Sequence, residues 1–443
     1  MPSIMPIRRR AGLGEVPALA LCLVMFGCGH TPPPVTPPGP GTGTGPPSQG
    51  EIVAFEAASA IFARHDAAGV WDAGACRETL AGFERVSEHR EGQNARAVYM
   101  MGLVATRCGS DERAHDLYSR AHELDPALCE ASVALANEQL ASGDADAARR
   151  GFDAAIAADN LCASAYVNLA MLDAREPSRR PAAIANLRRA LSVRADYLPA
   201  LDQLALVYLA SSDDEPQLLD LAEVVCRQAQ LIDPAYAPIY NTWGLIDIAQ
   251  GDITGAAAKL ARATELDPTF YEAWMNFGQL TLSQRAYEDA ARAFHQARAL
   301  RGHSYDAAIG EGVALRGLTQ PEAAERAYRA ALELDGDRPE AYFDLAVLYH
   351  EHLDGTAEHL NEAEELLRRF VDRAGGRPHF SEEVEDVLRW CNDAPSRGRR
   401  GRVTCRQGRV QTIRNTLEVL AGRMPASPEP AWVREARAAH RIR

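Results

Sequence analysis

Lysine is almost missing from this chain: Lys259 is the single one, and every other cation among the 47 Lys and Arg residues is arginine. That bias follows GC-rich coding and assigns no arginine chemistry by itself. Catalytic motifs are missing as well. There is no Gly-rich loop to cradle phosphate, no Gly-x-Ser-x-Gly nucleophile turn and no His-Glu-x-x-His metal helix, so the sequence implies no enzyme, no cofactor and no small-molecule substrate. Excess positive charge is lacking too. The 61 acidic residues bring the net charge to −14, which repels nucleic-acid phosphates and argues against nucleic acid as a partner. The apolar run Val16–Phe26 is too short to cross a bilayer. His350, His352 and His359 cluster in the sequence, but the first two point about 200° apart on a helix, which does not build a metal site.

What the chain does have is one phrase, repeated. A small residue is followed four positions later by an aromatic or large apolar residue, three later by Ala, and about five later by a turn residue. Ala114, Tyr118, Ala121 and Pro126 form one copy; Ala256, Leu260, Ala263 and Pro268 another; Ala290, Phe294, Ala297 and Gly302 a third. Turn positions 234, 268, 302 and 336 are spaced by 34 residues. A fixed period of this size predicts an all-α solenoid in which each helix pair buries its apolar stripe against its neighbours. Gly143-Asp144 and Gly251-Asp252 supply the break within each pair, Gly by leaving the helix and Asp as an N-cap.

Residues Trp274, Phe277, Gly278, Tyr287, Ala290, Phe294 and Ala297 carry a resemblance to the tetratricopeptide repeat (TPR) family. The resemblance implies a right-handed superhelix of about eight repeats with helical caps. Phased on these positions, the units run 95–128, 129–162, 163–197, 198–236, 237–270, 271–304, 305–338 and 339 to about 375. The fourth is lengthened at Ser211–Pro216 and the eighth at His352–His359. Residues 51–94 are expected to form an N-terminal helical cap, and 376–443 a C-terminal cap with a basic loop and tail.

In TPR proteins the first helix of each unit lines a concave face. Its positions here are filled by Tyr99, Leu103, Val133, Asn137, Val167, Asn168, Met171, Leu206, Leu245, Ile248, Met275, Leu282, Ile309, Val313, Phe343 and Val347. The expectation is an apolar groove that receives an amphipathic helix or extended peptide. The competing expectation is that superhelical curvature buries much of this stripe. Asn137 and Asn168 match the Asn positions of the family's carboxylate clamp, but its cation positions hold Val133, Pro199 and Gln203, which argues against a C-terminal carboxylate as the ligand.

The N-terminus resembles a bacterial lipoprotein signal: Arg8–Arg10, the apolar run, then Met25-Phe26-Gly27-Cys28, with Phe26 departing from the usual small residue. The resemblance implies a signal peptide over 1–27, lipid on Cys28 and, with Gly29 following, an outer-membrane lipoprotein facing the periplasm. The stretch TPPPVTPPGPGTGTGPPSQG, within a tether over 28–50, cannot form a core and should be disordered, reaching roughly 60–70 Å at about 3.1 Å per residue.

Phasing also suggests cysteine partners: Cys76 with Cys108, Cys391 with Cys405, and Cys129 with Cys162, the last requiring successive helix starts to approach to about 5.5 Å. Cys226 takes the buried aromatic position of its unit and should be a core thiol. Residues 407–423 place Val410, Ile413, Leu417 and Leu420 on one helical face, a C-terminal cap or an occupant of the groove, and 396–415 carry seven Arg and no acid. Together these features are expected to describe a scaffold that docks envelope proteins. Similar lipoproteins serve type IV pilus secretins or gliding-motility machines; the alternative is an adaptor for peptidoglycan hydrolases or synthases.

Overall fold

The computed structural model describes residues 47–89, 92–351 and 357–374, and all regular structure among them is helical. The N-terminal signal, Cys28 and most of the tether lie outside the described residues, as do His352, Cys391, Cys405 and everything after Ala374. Two helices precede the first repeat, α1 (Gln49–Ala68) and α2 (Ala73–Glu88). Ser48 caps α1 by accepting from the Glu51 amide, so helix begins two residues before position 51. The repeats follow as α3 (Ala95–Arg107) and α4 (Asp111–Leu124), α5 (Cys129–Ala141) and α6 (Ala145–Ala158), α7 (Ala163–Ala174) and α8 (Arg180–Val193), α9 (Leu198–Ala210) and α10 (Leu218–Ile232). Then come α11 (Ala237–Gln250) and α12 (Ile253–Leu266), α13 (Tyr271–Ser283) and α14 (Tyr287–Leu300), α15 (Tyr305–Gly317) and α16 (Pro321–Leu334), α17 (Glu340–Glu351) and α18 (Ala357–Ala374). The described residues fall in two compact units, one ending at Trp243 and one starting at Gly244.

The same packing logic operates in both units. From α1 to α10 and from α12 to α18 each helix packs on the next, within pairs of an odd-numbered A helix and the B helix after it and between pairs; α5, α7 and α9 also touch in succession, as do α13, α15 and α17. The approach within a pair depends on a missing side chain. A Cβ at Gly102 would stand 2.5 Å from the Tyr118 ring, one at Gly312 2.5 Å from Tyr328, one at Gly278 3.0 Å from Phe294 and one at Gly244 2.7 Å from Leu260. The large partner is in each case buried. Full burial of such a side chain stabilises by about 1.5–3 kcal/mol, and the glycine leaves the room that this burial needs.

The turns recur with the same period. Gly109, Gly143 and Gly251 adopt the left-handed conformation after their A helices, and at the equivalent places Arg285 and Thr319 do so with φ of 61° and 57°. Asp144 and Asp252 then cap the B helices through the amides of Ala147 and Gly255. Between units, Asp125, Asp159, Asp233, Asp267 and Asp335 each accept from the amide two residues on. Where Arg replaces that Asp, the guanidinium lies over a tyrosine: Arg194 is 4.3 Å from the Tyr197 ring and Arg301 4.0 Å from Tyr271. Tyr240, Trp274 and Tyr342 pin the entry to their helices by donating to the carbonyls of Pro234, Pro268 and Gly336 at 2.9, 2.9 and 3.0 Å.

Two disulfides join neighbouring elements. Cys76 in α2 is bonded to Cys108 at the end of α3, with Cα atoms 6.1 Å apart. Cys129 opens α5 and is bonded to Cys162, the residue before α7, with Cα atoms 5.8 Å apart, so the two helix starts do approach closely enough. Cys226 is a fully buried thiol in α10. His359 stacks on Tyr349 with ring centroids 5.5 Å apart. Among the described residues no group of three His, Cys, Asp or Glu side chains could hold a metal, and no helix is long and apolar enough to cross a membrane.

Candidate functional site

The sixteen side chains expected along the concave face divide into two sets. Val133, Val167, Leu245, Ile248, Leu282, Ile309, Val313, Phe343 and Val347 are buried. They are part of the buried interior and do not line an open groove. Tyr99, Leu103, Asn137, Asn168, Met171, Leu206 and Met275 are half-buried. Six of these seven lie in the unit ending at Trp243, on α3, α5, α7 and α9.

In that unit the row runs from the aromatic Tyr99, whose ring lies 5.7 Å from that of Tyr118, through Leu103 on α3 to Asn137 on α5. It continues with Asn168 and Met171 on α7 and ends at Leu206 on α9. Asn168 donates its Nδ2 to the Ser164 carbonyl at 2.9 Å, which fixes the amide and turns its oxygen away from its own helix. The carboxylate-clamp positions hold no cation: Val133 and Gln203 are buried and Pro199 is half-buried. The arrangement can cover an apolar ligand face and hydrogen-bond a peptide backbone, and it offers no charge to a free carboxylate.

A buried acid next to this row was not singled out from the sequence. Asp202, on α9, accepts from the Thr242 hydroxyl at 2.6 Å, and burial pushes its carboxyl up to about 6 against the hydrogen bonds from Thr242 and Gln203. The Gln203 Oε1 is buried with no hydrogen-bond partner among the described residues. An acid at a position that Val133 and Val167 fill in the preceding units was the signal available.

The unit starting at Gly244 carries ion pairs within and between its helix pairs. Arg316 reaches Asp344 at 3.3 Å, and burial pushes Asp344 up to about 6 despite that guanidinium. His295 and Arg298 hold Glu311, while Arg338 lies between Asp306 and Glu340. Met275 remains half-buried, packed against the core of this unit.

Residues 241–307 and 309–378 match the family model described as tetratricopeptide repeat. A chain of the hetero-tetramer Cut9–Hcn1 of the APC/C superposes with a TM-score of 0.52 and 15% identity, covering 66% of this chain and 55% of that one. PilF of Pseudomonas aeruginosa gives a TM-score of 0.43 at 19% identity, covering 52% of this chain and 98% of that one. In sequence, a probable biofilm formation methyltransferase, WspC of Pseudomonas aeruginosa, is 34% identical over 119 residues. That match spans 27% of each protein, so the chain covers about a quarter of this relative's length. The matched repeats, the all-helical architecture and the Gly–ring packing agree: residues 241–307 and 309–378 are tetratricopeptide repeats in an all-helical fold of consecutive helix pairs.

Proposed function

We propose that this TPR protein is a docking scaffold of the bacterial envelope, held at the outer membrane by lipid on Cys28 and facing the periplasm. Its work is binding, and no catalytic step is assigned to it. The observation that carries the reading is the row of half-buried apolar and amide side chains on consecutive A helices from Tyr99 to Leu206. Such a row suits an amphipathic helix or an extended segment of an envelope protein, with affinity from apolar burial and orientation from Asn137 and Asn168. The Cys76–Cys108 and Cys129–Cys162 disulfides support an oxidising compartment, and the basic and apolar N-terminus ending at Cys28 supports export. The machine served is of the gliding-motility or type IV pilus and secretin kind.

The test joins crosslinking and capture from membranes with a paired variant, Met171→Asp with Leu206→Asp. Both side chains are half-buried, so helicity should survive while partner capture falls by at least tenfold. Undiminished capture by the variant removes the docking row from the proposal. Incorporation of labelled fatty acid into the wild type and not into Cys28→Ala tests the anchor separately, and equal labelling of both would end the lipoprotein reading.

A further inference from the structure

Helix α10 carries a second apolar stripe. Its first, Leu218, Ala222, Cys226 and Ala229, is buried against the unit. Beside it, Leu221, Val224, Leu231 and Ile232 are exposed by 44%, 57%, 86% and 40%. At about 100° per residue these four and Gln228 fall within one sector of roughly 100°.

The repeat supplies its own control. Val224 lies two residues before the buried Cys226, and Leu231 five after it. The same two places hold Asp116 and Glu123 around Tyr118, Arg292 and Ala299 around Phe294, and Arg326 and Glu333 around Tyr328. Packing within the array therefore asks for no large apolar residue at either place, and an exposed patch of this kind marks a surface that is covered by something else.

We propose that α10 is a self-association surface, packing antiparallel against α10 of a second copy. The charge pattern selects that occupant. Asp220, Glu223 and Arg227 all lie on one side of the stripe, whereas the other side is the helix's own buried face. In an antiparallel pair like edges meet, so this charged edge faces its own copy. With Leu221 opposite Leu231 of the second copy and Val224 opposite its Gln228, Arg227 comes within one helical turn of Glu223 across the two-fold axis, and the contact occurs twice. A parallel pair would set the charged edge against the apolar one. An anionic lipid surface is repelled by Asp220 and Glu223. Gln228, the one polar member of the stripe, fixes the register at some loss of affinity.

Sedimentation equilibrium of the purified full chain, over about 1–200 µM, reads the association. The wild type should form dimers. Val224→Arg with Leu231→Glu gives α10 residue types that sister helices carry at those places, so its helicity and melting temperature should match wild type while association weakens at least 30-fold. Arg227→Glu should weaken association, and Glu223→Arg combined with Arg227→Glu should restore it. A wild type that stays monomeric at the highest concentration, or a Val224→Arg/Leu231→Glu variant that dimerises as well as wild type, overturns the proposal. Failure of the charge exchange to restore association overturns the antiparallel pairing.

Discussion

Replacing Gly312 by Ala sets two effects of opposite sign against each other. Alanine is favoured over glycine in a helix interior by about 1 kcal/mol. Against this, the new Cβ would stand 2.5, 2.6 and 3.0 Å from Cε1, Cδ1 and Cζ of Tyr328. Relaxed carbon contacts lie at about 3.5–4.0 Å, so the ring has to retreat by roughly 1 Å. Tyr328 is fully buried in a cluster that includes Ala324, Ala331 and Leu345, with no open side to move into. Overpacking of that kind costs about 1–3 kcal/mol, and an enclosed ring puts the site at the upper end. The expected net loss is about 2 kcal/mol. Urea unfolding followed by circular dichroism gives its size, and hydrogen exchange in α15 and α16 gives its place, since repeat arrays need not unfold in one step. Tyr328→Leu in the same chain should recover part of the loss, with a coupling of about 1 kcal/mol. At Gly302, where an added Cβ meets nothing within 4 Å, alanine should be neutral within about 0.5 kcal/mol. If Gly312→Ala is as stable as wild type, the ring yields freely and the Gly–ring contact does not set the spacing of the pair.

Three further outcomes are expected. Asp202, raised to about 6 in the fold, opposes folding when ionised, so stability falls as pH rises from the unfolded value near 4 through 6; Asp202→Asn keeps an acceptor for Thr242 and should stabilise by roughly 2 kcal/mol at pH 8 with little gain at pH 4, read from melting curves at both pH values. Thr319→Gly relieves a β-branched residue at φ 57° and should stabilise by about 1 kcal/mol in urea titrations, whereas the same change at the helical Thr281 should destabilise. Replacing Cys129 and Cys162 together by Ser opens a covalent loop spanning a sequence separation of 33 and should cost about 3–4 kcal/mol, with equal stability of variant and wild type in reductant as the check.

The helix pairs were legible in the sequence because their determinants are local and periodic. The Gly–ring partners sit sixteen residues apart in Gly102–Tyr118, Gly278–Phe294 and Gly312–Tyr328 alike, and a Gly-Asp break is visible to the eye. The open face was legible only in part. Val133 and Leu206 are both apolar residues on the inner row, yet the first is buried and the second half-buried. That difference depends on how closely consecutive A helices approach, which no single unit encodes. The exposed stripe of α10 escaped the sequence reading for another reason. A single amphipathic period hides a helix with two apolar faces, and the stripe emerges only when Val224 and Leu231 are set beside their charged counterparts in other units.

The Cys129–Cys162 bond encloses almost one whole repeat, from the first residue of α5 to the last before α7. This matters when the chain is pulled at its ends. Force then passes through the sulfur atoms, and α5 and α6 carry none of it along their backbone. A repeat that would otherwise pay out about 3.4 Å for every residue is removed from the extensible length, and the Cys76–Cys108 bond removes a second such segment. Under load these two segments act as inextensible links, and among the described helices stretching falls on those that no disulfide encloses.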